Sequence, residues 1–100
     1  MGNEQGKGGK GKRKAEDQLF DAAFEMKQQA KMLEREANKV QQQEAKERQK
    51  ILQELKKGNM EFAKVYAENA IRIHKEAVSI QRFSAKMGAV GAKLESAYRT

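Results

Sequence analysis

Apolar residues in the first half of the chain fall at two alternating intervals. From Leu19 they continue at Ala23, Met26, Ala30, Leu33, Ala37 and Val40, stepping by four and three in turn. That repeat marks a helix packed along one seam against another helix. Glu44 and Glu47 interrupt the series, and Ile51, Leu52 and Leu55 resume it. The pattern predicts a helix over residues 16–57, opened by Glu16 and Asp17, whose carboxylates suit the positive end of a helix dipole. Opposite the seam Lys27, Lys31, Arg35 and Lys39 recur every four residues, with Lys46 and Lys50 further on. The default reading of that ridge is a solvated face, because interleaved acids neutralise much of it.

The second half predicts a helix over residues 60–100 with a much broader apolar surface. One series is large: Phe62, Tyr66, Ile73, Ile80, Phe83, Met87, Val90 and Leu94. A neighbouring series is small: Ala63, Ala67, Ala70, Ala77, Ser84, Gly88 and Gly91. A third line, Ile71, Val78, Ala85 and Ala92, repeats every seven residues. More than half the circumference is apolar or small, which one partner helix cannot cover. Tyr66, Ile71, Ile73, Ile80, Phe83 and Met87 are therefore the candidate self-assembly residues.

Between the two helices lies Lys56-Lys57-Gly58-Asn59-Met60-Glu61. Gly58 can end a helix in the left-handed conformation, since it has no Cβ to clash. Asn59 can cap the next helix, and Glu61 suits that positive end. A stop and a start this close leave room only for a sharp turn at 58–59. The fold class expected is therefore all-α, a long antiparallel two-helix hairpin. Closing at Gly58 sets the polar stretch 41–50 against roughly residues 66–75, where Tyr66, Ile71 and Ile73 find no matching apolar surface. A hairpin of about 60 Å at 1.5 Å per residue is also too thin to bury a globular core.

Composition narrows the partners. In 100 residues there is no proline and no cysteine, and 35% of residues are charged, a composition for long helices without disulfides. No apolar run approaches the ~20 residues that span a bilayer, so the expectation is a soluble chain or one resting on a membrane surface. The net charge is +7. Much of it sits in a glycine-rich tail, residues 1–15, whose bases are Lys7, Lys10, Lys12, Arg13 and Lys14. Such a segment buries too little to offset its ordering entropy and is expected to be flexible when free. A concentrated basic tail on a basic protein expects a polyanion, either lipid headgroups or nucleic acid. Gly2 is the candidate acylation position after Met1, although the usual pattern has Ser or Thr where this chain has Gly6.

Catalytic chemistry finds no support. His74 is the sole histidine, and with no cysteine the usual zinc sites cannot be built. It reads as a packed or half-exposed structural residue. Glu44 and Glu47, with bases nearby, read as solvated charges rather than a tuned pair. The glycines of the tail lack the Lys-Ser/Thr ending of a phosphate loop. Neither an enzyme nor a cofactor is expected.

Gly58-Asn59-Met60-Glu61, Ala67-Glu68-Asn69-Ala70-Ile71-Arg72 and Ala77-Val78 carry a resemblance, joined by Leu19-Phe20 and Ser84-Ala85-Lys86-Met87. Together they resemble the ESCRT-III membrane-remodelling family, closest to the charged multivesicular body protein 1 group, over roughly residues 16–100. The match is specific in the second helix and loose in the first. The first residues, Met-Gly-Asn and then bases, resemble the start of another, myristoylated ESCRT-III subunit. The resemblance implies a hairpin that polymerises with other ESCRT-III subunits or with itself on anionic membranes. It also implies a cytoplasmic protein, peripheral on endosomal membranes, serving scission and multivesicular body sorting. On that reading Lys27, Lys31 and Lys39 join the five tail bases as membrane-binding residues, and no nucleic acid is expected as partner. The family's later helices and the C-terminal motif that recruits a disassembling ATPase have no counterpart in residues 1–100. The resemblance therefore carries no ATPase contact onto these residues. Two rivals remain: a nucleic-acid-binding basic hairpin, and a generic coiled-coil dimerisation module.

Overall fold

The computed structural model describes residues 11–99. Two helices account for nearly all of them: α1, Gly11–Lys57, and α2, Met60–Arg99. Helix α1 begins earlier than the Glu16–Asp17 start that the charge pattern suggests. Lys, Arg and Ala are good helix formers, so the helix extends back past its acidic residues, and its first turn carries no acid.

The chain divides into a turn unit, residues 31–84, and a terminal unit, residues 11–30 with 85–99. In each, a stretch of α1 packs antiparallel against a stretch of α2, which is the all-α hairpin expected.

The turn is a Schellman cap. Gly58 has φ of 80°, the left-handed conformation that glycine adopts without strain. Its N–H donates to the Leu55 carbonyl at 3.0 Å, and the Asn59 N–H donates to the Glu54 carbonyl at 2.8 Å. Both satisfy carbonyls that the end of α1 would otherwise leave free. Helix α2 opens with the Ala63 N–H donating to the Asn59 carbonyl at 3.0 Å. The Asn59 side chain behaves differently from the expected cap: its amide donates back to Glu54 Oε1 at 2.9 Å. Lys56 and Lys57 in the last turn of α1 and Glu61 in the first turn of α2 suit the two dipole ends.

In the turn unit the seam of α1 runs through Leu33, Ala37, Val40, Glu44, Glu47, Ile51 and Glu54, all buried or half-buried. Facing it are Ala63, Tyr66, Ala70, Ile73, Ala77, Ile80 and Ser84. The register is as expected: Glu44 lies opposite His74, and Lys50 Nζ sits 5.5 Å from the centre of the Tyr66 ring. In the terminal unit Leu19, Ala23, Met26 and Ala30 meet Met87, Gly88, Gly91 and Leu94 in the same buried or half-buried environment. The residues buried deepest are mostly small, alanine above all. They let the helix backbones approach closely, so the seam is narrow and most large side chains stay partly in solvent.

The solvated reading of Glu44 and Glu47 is corrected here. Glu44 is only 7% exposed. Its carboxylate accepts from Arg48 Nη2 at 2.7 Å and lies 3.3 Å from His74 Nδ1. Glu47 pairs with Lys50 at 3.3 Å through one oxygen, while the other is buried without a partner. The three-four spacing continues unbroken through both residues, so the helix turns them inward despite their charge.

Candidate functional surfaces

Each step along a helix turns the side chain by about 100°. In the turn unit this places Lys31, Arg35, Lys39 and Lys46 on one stripe, about 170° from the α1 seam. All four are exposed. The acids between them, Glu34 and Glu36, project to the flanks, and Glu44 is in the seam. The ridge is therefore acid-free. None of the four bases has an ion-pair partner among the described residues. Glutamine fills the gaps, at Gln42 and Gln49.

Lys27, in the terminal unit, is differently engaged. Its ammonium pairs with Glu95 of α2, which Arg99 also holds at 3.0 Å. The hydrogen bond from Lys27 keeps the Glu95 carboxyl below its ordinary pKa. Partial burial opposes this, and the charges of Lys27 and Arg99 support it. Of the tail residues expected to meet a membrane, Lys14 is exposed on the first turns of α1. Gly2, Lys7 and Lys10, and the side chains of Lys12 and Arg13, lie outside the described residues.

The six candidate self-assembly residues separate into two groups. Tyr66, Ile73, Ile80 and Met87 are half-buried and alternate with the small residues of the hairpin seam. Ile71 and Phe83, exposed by 56% and 55%, point away from it. Further large apolar side chains, off the heptad series of the candidate residues, are exposed. Val65 and Leu52 are among them in the turn unit, as are Phe20, Phe24 and Tyr98 in the terminal unit. Phe20 and Tyr98 touch, with ring centroids 5.4 Å apart. Their signal in the sequence is weak, because an aromatic residue one step off a heptad seam reads the same as one inside it. In the turn unit an open groove of about 370 Å³ runs over Ala67, Ala70 and Ile71, between Ile51 and the Glu44–His74 pair. No helix among the described residues is long and apolar enough to cross a membrane.

The described residues thus form a narrow-seamed all-α hairpin with a basic ridge on α1 and exposed apolar side chains beside the seam. The chain belongs to the Snf7 family, the ESCRT-III proteins, whose pattern it matches over residues 21–100. It is 36% identical over 80 residues to the ESCRT-related protein CHMP1B of Arabidopsis thaliana, covering 80% of this chain and 39% of that protein. It is 45% identical over 69 residues to human charged multivesicular body protein 1b, covering 69% and 35%. With charged multivesicular body protein 1 of Dictyostelium discoideum it shares 34% over 84 residues, 84% and 42% of the two chains. The chain thus spans about two fifths of the length of these relatives.

Proposed function

We propose that the chain acts as an ESCRT-III subunit. It assembles with copies of itself or with related subunits on anionic membranes, at the cytoplasmic face of endosomes, and remodels them for multivesicular body sorting. The role is structural rather than catalytic. The observation that carries this reading is the acid-free ridge of Lys31, Arg35, Lys39 and Lys46, exposed and unpaired on the side of α1 opposite its seam. A straight row of bases at helical spacing fits a flat anionic surface, and each base near such a surface contributes roughly 1 kcal/mol. The exposed Ile71 and Phe83 on α2 offer lateral contacts that leave the ridge free. The names of the relatives, charged multivesicular body proteins among them, support the cellular setting.

The test is co-sedimentation with phosphatidylserine vesicles, beside neutral vesicles and duplex DNA. Binding to anionic vesicles, weakened about tenfold or more by Lys31→Glu/Arg35→Glu/Lys39→Glu, is the expected result. Tight DNA binding with no vesicle binding would transfer the case to the nucleic-acid hairpin.

A further inference from the structure

Helix α2 carries a second basic ridge in the turn unit. Arg72, Lys75 and Arg82, with Ser79 between them, lie about 160° from the α2 seam formed by Ala70, Ile73, Ala77 and Ile80. All three bases are exposed, and none has an ion-pair partner among the described residues. Arg72 only donates to the Asn69 side chain at 3.0 Å. Glu68 precedes the ridge by one turn and Glu76 projects to its flank, so no acid stands between the three bases. Because each ridge faces away from its own seam, the α1 and α2 ridges occupy opposite outer sides of this part of the hairpin.

We propose that the α2 ridge binds a second anionic bilayer, so that one hairpin bridges two membranes. This rests on the membrane reading of the α1 ridge. Two packed helices put the opposed ridges about 20 Å apart, more than twice the ~8 Å Debye length at physiological salt. A bilayer bound along α1 therefore neither reaches nor screens Arg72, Lys75 and Arg82. The form of the ridge selects its occupant. It is a straight row of exposed bases at helical spacing with no aromatic side chain on it to stack a base, and Lys75 borders the edge of the apolar groove over Ala67, Ala70 and Ile71. A planar array of anionic headgroups satisfies such a row of charges, whereas a nucleic acid strand finds no stacking platform along it.

The experiment uses the full chain with phosphatidylserine vesicles, measuring bound protein by sedimentation and vesicle clustering by light scattering. The unmodified protein binds and clusters the vesicles. Arg72→Gln/Lys75→Gln/Arg82→Gln retains binding within about twofold but clusters vesicles about tenfold less. Circular dichroism and the protein's size without vesicles should be unchanged in this variant, which separates bridging from a change in fold or self-association. Clustering by the variant equal to that of the unmodified chain overturns the proposal, as does binding without clustering by the unmodified chain. A clustering loss accompanied by a smaller oligomer overturns it too, since self-association would then be the bridge. Absence of any vesicle binding removes the membrane reading itself, an outcome distinct from binding without clustering.

Discussion

Gly88 and Gly91 lie three residues apart on α2, yet an added methyl group meets different surroundings at each. At Gly88 the nearest neighbour would be Ala30 Cβ, at 4.0 Å. At Gly91 it would meet Lys27 Cγ at 3.1 Å, and the Ala23 carbonyl oxygen and Met26 Cβ at 3.3 Å. Gly88→Ala should therefore gain stability, up to about 1 kcal/mol from helix propensity. Gly91→Ala gains the same propensity but overpacks against the Ala23 backbone, which cannot easily retreat, so it should give a net loss of up to about 1–2 kcal/mol. Urea unfolding followed by circular dichroism would compare them, and equal effects would refute the close contact. Nearby, the lowered pKa of Glu95 has a defined sign. The unfolded chain binds this proton more readily than the folded one. The stabilisation is complete above the ordinary glutamate range and is lost as pH falls through the lowered folded value. Glu95→Gln should flatten the melting temperature between about pH 3 and 6. The effect should be small, since Lys27 and Glu95 both remain partly in solvent.

At the scale of the helix, position in the heptad decides a side chain's role more than its size does. Ile73 and Ile80 sit in the seam against α1, while Ile71 and Phe83 face outward. Ile73→Asp with Ile80→Asp should cost several kcal/mol by burying charge and should lower helicity. Ile71→Asp with Phe83→Asp should leave the helical signal intact and disperse any oligomer, measured by light scattering beside circular dichroism. A stable oligomer in the second variant would place self-association elsewhere. The same contrast shows what the sequence made legible. Helix α1, its seam to Val40, the turn at Gly58 and the register all follow from spacing and from one glycine. The large and small series of α2 are visible too, but sorting by size obscured that Ala63, Tyr66, Ala70, Ile73, Ala77 and Ile80 form one seam. The inward turn of Glu44 and Glu47 was obscured by polarity, although the spacing from Val40 to Ile51 never changes. The ion-pair state of Lys27 was not readable, since Glu95 is distant in sequence and only the fold brings it near.

Across the whole molecule the charge is uneven, concentrated toward the two ends of the sequence. Residues 1–14 hold five bases and one acid, residues 15–57 balance nine against nine, and residues 58–100 hold seven bases and four acids. If the tail binds a membrane as an electrostatic arm, it should dominate attraction at low salt, with the α1 ridge second. At roughly 1 kcal/mol per base close to the surface, deleting residues 1–14 should cost several kcal/mol of vesicle affinity in dilute buffer. That loss should shrink toward physiological salt, where the Debye length is about 8 Å and a charge held away from the headgroups is largely screened. An acyl chain on Gly2 would behave differently, because burial of its methylenes does not depend on ionic strength and leaves a salt-resistant remainder. The measurement is vesicle binding of the full and tail-deleted chains across a salt series, with neutral vesicles as control and mass spectrometry of Gly2 in protein from eukaryotic cells. Equal binding by the two chains at every salt concentration would assign membrane attraction to the helices alone, with Lys31, Arg35, Lys39 and Lys46 as its first suspects.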